Sequence, residues 1–90
     1  MFIWDEAKRI SNLKKHGLDF RDAHLVYENP DKCTYDASRE GEPRLMDVAL
    51  AILRGRLLTL VYMEVDEDVR VISFRHASRE ERKQYEYDTQ

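Results

Sequence analysis

Several features are scarce in this chain, and each scarcity narrows what it does. A single cysteine, Cys33, rules out an internal disulfide and a cysteine zinc cluster, and it is expected to be a small packing residue in a reducing compartment. The longest apolar run, Val48–Leu53, is six residues, against roughly 20 for a membrane-spanning helix. Asp5 and Glu6 follow Phe2-Ile3-Trp4 where a signal peptide would stay apolar, so a cytoplasmic protein with no membrane partner is expected. Charge of one sign does not dominate: 15 Lys and Arg against 18 Asp and Glu give −3. That balance excludes a histone-like polycation but permits a local basic face. Three glycines and two prolines in 90 residues leave no linker, repeat or low-complexity tract, so residues 1–90 read as one domain. There is no glycine-rich phosphate loop, no histidine pair at metal-ligand spacing and no G-x-S-x-G. His16, His24 and His76 lie on separate elements, so neither a metal nor a cofactor is expected.

What is present reads as a small α+β domain. Phe2-Ile3-Trp4 has the length of an edge strand. Asp5 is placed to cap a helix that runs to Lys15 or His16 and stops at Gly17, with Ala7, Ile10 and Leu13 as its buried stripe. Phe20, Ala23, His24 and Tyr27 stand at i, i+3, i+4 and i+7, which predicts a second helix begun by Asp19 and ended at Asn29-Pro30, with His24 at the core edge. Asp36–Arg44 reads as a loop. From Leu45 the period becomes two. Strands are predicted over Leu45–Leu53, Arg56–Val65 and Val69–Arg75, turned by Arg54-Gly55 and Asp66-Glu67-Asp68, with Cys33–Tyr35 as a further short strand. Ser78 and Glu81 form a capping box opening a last helix to about Tyr87. The expected fold is two N-terminal helices, an antiparallel meander of about four strands and a closing helix.

The last predicted strand ends in charge. Strict alternation puts Arg70, Ile72, Phe74 and His76 on one face and Val69, Val71, Ser73 and Arg75 on the other. Arg70, Arg75, His76, Arg79, Arg82 and Lys83 make one cationic segment; Lys8, Lys14, Lys15 and His16 make another. Brought into one cleft, they suit a phosphodiester: arginine forks bind phosphate and stabilise charge developing on it, while an imidazole moves protons. RNA supplies its own 2′-OH nucleophile. The plainer alternative is that these charges solvate the surface and pair with the acids.

Three stretches together resemble one family: Phe2-Ile3-Trp4-Asp5-Glu6-Ala7-Lys8 leading to Asn12-Leu13-Lys14-Lys15-His16-Gly17; Asp19-Phe20 with Ala23; and Val71-Ile72-Ser73-Phe74-Arg75-His76-Ala77-Ser78-Arg79-Glu80-Glu81-Arg82 with Tyr85. The chain resembles the BrnT toxins of bacterial type II toxin–antitoxin systems. The resemblance implies a fold similar to that of RelE-type toxins and microbial ribonucleases, and a metal-independent endoribonuclease that cuts cellular RNA. It implies a ribbon-helix-helix antitoxin of the BrnA type as partner, with operator DNA bound only through their complex. It also implies a site at Lys15, His16, Arg75 and His76, with Arg79, Arg82 and Tyr85 in support; Lys8 and Arg70 are further candidates for RNA contact. Many relatives read Ser-Ala-Arg-Lys where this chain has Ser73-Phe74-Arg75-His76, so a histidine takes the second basic position. The competing class is a non-catalytic module that acts only within a repressor complex.

Overall fold

A side-chain cap starts the first helix. The structure, a computed structural model, describes residues 1–51 and 55–90. In α1 (Glu6–His16), Asp5 Oδ1 accepts from the backbone N–H groups of Ala7 at 2.9 Å and Lys8 at 3.3 Å, and Gly17 ends the helix at φ 71°. Lys14, Lys15 and His16 occupy the last turn, where the helix dipole favours cations. The bounds match the sequence reading, but the buried face does not. Ala7, Ile10 and Leu13 are exposed, while Arg9 and Asn12 are buried. Partners make this polar face tolerable. Arg9 donates to Glu6 at 2.8 Å and to Asp19 at 3.0 Å, and the side chain of Asn12 is held by backbone groups.

The predicted second helix is broken. A 3-10 turn (Phe20–Asp22) opens where Asp19 accepts from the Arg21 N–H, and the single turn α2 (His24–Tyr27) follows. Phe20, Ala23 and Val26 point into the core, a spacing of three set by the tighter turn. His24 is therefore exposed, its Nδ1 3.2 Å from the Arg21 carbonyl, and not a core-edge residue. Among the described residues α1 is the one helix longer than a single turn between β1 (Phe2–Ile3) and β2 (Cys33–Asp36).

Five strands form the sheet, not four: β1 (Phe2–Ile3), β2 (Cys33–Asp36), β3 (Leu45–Ala51), β4 (Arg56–Val65) and β5 (Asp68–His76), in the order β1-β5-β4-β3-β2. β2 through β5 pair antiparallel, whereas β1 runs parallel to β5 through Phe2↔Val69 and Ile3↔Arg70, so the sheet is mixed. Of the predicted Leu45–Leu53 strand and its turn, Ile52, Leu53 and Arg54 lie outside the described residues. One sheet face, with Ala49, Ala51, Leu58, Leu60, Tyr62, Val71 and Phe74, packs on Leu18, Phe20, Ala23 and Val26. The other carries Thr59 and Arg75, and α3 (Arg79–Asp88) reaches over it through Glu81. The Ser78–Glu81 capping box is present at the start of α3.

A bulge in β5 overturns the expected alternation. Val61 pairs with Ser73 but Tyr62 pairs with Val71, which leaves Ile72 as an extra residue. The phase flips there. Phe74 joins Val69 and Val71 in the core, and Arg75 stands beside its register partner Thr59 on the α3 side. Among the described residues no helix is long and apolar enough to cross a membrane.

Candidate active site

β1 covers only Val69 and Arg70, so the rest of that β5 edge needs other partners. Asn12 supplies them. Its Nδ2 donates to the Phe74 carbonyl at 2.8 Å and to the Leu18 carbonyl at 3.0 Å, while its Oδ1 accepts from the Phe74 N–H at 3.2 Å. The side-chain amide thus stands in for a neighbouring strand and fixes α1 against the end of β5. His16, one turn further along the same helix face, is half-buried there. Burial pushes its pKa below the ordinary 6.5, and the charges of Lys15, Arg75 and His76 push it the same way.

Arg75 is held by a two-pronged ion pair. Its Nη1 lies 2.8 Å from Glu81 Oε1 and its Nη2 lies 2.9 Å from Oε2. Glu81 Oε1 also accepts from the Thr59 hydroxyl and the Ser78 N–H, each at 2.9 Å. Arg75 above all, then Ser78 and Thr59, holds the Glu81 carboxyl down to about 2. In return the Glu81 hydrogen bond raises the Arg75 pKa, so the guanidinium is charged and fixed in direction. The sequence marked Glu81 as a cap and missed this contact, although the capping box immediately after Arg75 was the available signal.

A pocket of about 550 Å³ brings His76, Arg82 and Tyr85 together and adds Arg56, which sequence reasoning did not single out. The Tyr85 hydroxyl also reaches the Asp31 carbonyl at 3.5 Å. Other expected residues fall elsewhere. Lys15 lines a depression on the solvent side of α1 with Ile10 and Lys14, and its charge bears on His16. Lys8 is exposed, about 12 Å back along the helix from His16. Arg70 sits towards the opposite end of β5, about 20 Å from His76. Arg79 is exposed at the first turn of α3 and lines none of these pockets. Among the described residues no three His, Cys, Asp or Glu side chains gather as a metal site would need.

The family model described as "Ribonuclease toxin, BrnT, of type II toxin-antitoxin system" matches residues 4–81. No curated protein matches the chain. The matched span runs from Trp4, before α1, to Glu81, and so contains the Asn12 clamp, His16, the bulged β5 and the Arg75–Glu81 pair. The chain belongs to the BrnT family of ribonuclease toxins of type II toxin–antitoxin systems.

Proposed function

We propose that this toxin is an endoribonuclease that cuts cellular RNA without a metal ion, using His16, Arg75 and His76. The observation that carries the reading is electrostatic and geometric at once: the Asn12 clamp sets the end of α1 against β5, where His16 feels the charges of both Arg75 and His76. With its pKa lowered, His16 is neutral at physiological pH and suited to accept the proton of the RNA 2′-OH. The 2′ oxygen then bonds to the adjacent phosphorus, and the bond from phosphorus to the 5′ oxygen breaks. His76 donates a proton to that leaving oxygen, giving a 2′,3′-cyclic phosphate and a 5′-hydroxyl end. The fixed Arg75 guanidinium faces the charge gathering on the phosphoryl oxygens. Arg82 and Tyr85, in the pocket with His76, hold the strand, and Lys15 adds to the field around His16.

A cation-lined nuclease site must be closed in its host. A ribbon-helix-helix antitoxin of the BrnA type is the proposed partner in the cytoplasm, presenting acidic residues towards Arg79 and Arg75; operator DNA is bound through that complex. One observation favours the non-catalytic reading: Glu81 already occupies two donors of Arg75. Expression of the toxin alone separates the two. Growth arrest with RNA fragments ending in cyclic phosphate supports the nuclease, and unimpaired growth with intact RNA supports a module that acts only in a repressor complex.

A further inference from the structure

A second pocket, of about 540 Å³, opens on the sheet face that carries Arg75, beside the 37–44 loop. Met46, Val61 and Ile72 give it apolar wall, and Arg39, Arg44 and Arg75 give it three guanidinium groups. The acids in its lining are already engaged: Glu81 by Arg75, and Asp36 by the Ser38 N–H at 2.9 Å. The arginines keep spare capacity. Arg44 donates from Nη2 to Glu42 at 3.2 Å, yet its Nε is buried and finds no acceptor among the described residues. Arg39 makes no ion pair among the described residues, while its backbone pairs with Glu42 in both directions, at 3.1 and 2.7 Å. Glu40 and Gly41, at φ 47° and 79°, turn the loop as a tight hairpin does. The Arg44 N–H is tied to the Ser38 hydroxyl at 3.1 Å, so the loop presents both arginines from a braced backbone.

We propose that this pocket is a second nucleotide subsite, binding the phosphate of an RNA residue that flanks the cleaved one on Arg39 and Arg44, with its base against Met46, Val61 and Ile72. The inference rests on the ribonuclease reading and extends it along the strand. Arg75 lines the pocket and its charge also bears on His16, so a strand whose scissile phosphate faces Arg75 has the pocket next along its path. Forked guanidinium groups over an apolar surface suit a phosphate with an attached base, since arginine binds the first bidentately and apolar surface accepts the flat face of the second. The volume lies within the range of small-molecule sites.

The test uses a short fluorescent oligonucleotide with 2′-deoxy sugars, which the toxin binds but cannot cut. Its affinity is measured by anisotropy against salt for the wild type, Arg39→Ala, Arg44→Ala and Arg21→Ala. Arg21→Ala removes the same charge from an exposed arginine that pairs loosely with Asp19 at 3.7 Å and lines none of these pockets. Arg39→Ala and Arg44→Ala are expected to bind about tenfold more weakly, with a salt slope shallower by about 0.7, the value for one phosphate contact on a single strand. Arg21→Ala is expected to track the wild type. Arg39 is exposed, so its variant keeps the fold even if Arg44→Ala does not. Arg39→Ala behaving like Arg21→Ala, or no strand binding by the wild type, would overturn the subsite. Because binding is read without cleavage, a wild type that binds this probe in the expected pattern yet leaves the all-ribose strand intact would contradict the nuclease reading and leave the subsite standing.

Discussion

Asn12 and Phe74 pair through both backbone groups of the strand residue, at 2.8 Å from the asparagine Nδ2 and 3.2 Å to its Oδ1. Sixty-two residues separate them, and the contact decides where the end of α1 sits. Asn12→Ala leaves the Phe74 N–H and carbonyl buried without that partner, a cost of about 3 kcal/mol. Urea denaturation measures it, and a loss below about 1 kcal/mol would mean that α1 is held by something else. On the proposed role of His16, cleavage by the folded fraction is expected to fall as well, because His16 loses its seat.

The Arg75–Glu81 pair has an acid signature. Glu81 titrates at about 2 in the folded chain against an ordinary 4.5, so its contribution to stability is present above about pH 4.5 and is lost as pH falls towards 2. Glu81→Gln is expected to melt lower than the wild type at neutral pH and to lose less stability between pH 4.5 and 2. Parallel stability curves for the two proteins across that window would remove the pair from the stability of the fold.

Asp47 poses a different case, on the β3 register opposite Thr34 and Leu60. It is fully buried and satisfied by Lys32 Nζ at 2.7 Å, the Thr34 hydroxyl at 2.6 Å and the Tyr62 hydroxyl at 3.1 Å, while Lys32 also lies 4.2 Å over the Tyr27 ring. Asp47→Ala strands the lysine charge and is expected to cost about 4 kcal/mol, with kcat of the folded protein unchanged. A drop in kcat at full folding would tie this network to the site.

Local chemistry was legible in the sequence and remote partnership was not. Asp5, Gly17 and the Ser78–Glu81 box act within a few residues, so the ends of α1 and the start of α3 stood where expected. The buried face of α1 was misread because Arg9 and Asn12 are made tolerable inside by Asp19 and Phe74, which no helical periodicity reports. Likewise the extra residue at Ile72 reverses every later side chain of β5, and only pairing with Val61 and Tyr62 reveals it. His16, Arg75 and His76 were singled out from residue type and resemblance, whereas Arg39, Arg44 and Arg56 read as ordinary loop or strand-end charge until the fold gave them pockets.

Antitoxin binding carries an electrostatic expectation. If acidic groups of the partner face the exposed Arg79, Arg79→Glu weakens the complex at least tenfold and flattens its dependence on salt. Calorimetric titration of toxin with antitoxin at two ionic strengths measures both. Affinity indifferent to salt and to the reversal would place the partner elsewhere.

The central claim is that His16, Arg75 and His76 act on one phosphate, and single-turnover cleavage of a short RNA from pH 5 to 8 tests it most directly. The wild type is expected to lose activity as pH falls through a midpoint below 6.5, where His16 becomes protonated, and His16→Ala is expected to lack that limb. Arg75→Ala is expected to cut about a hundredfold more slowly at every pH. A folded His16→Ala with the wild-type profile, together with an Arg75→Ala of near-wild-type rate, would contradict the account.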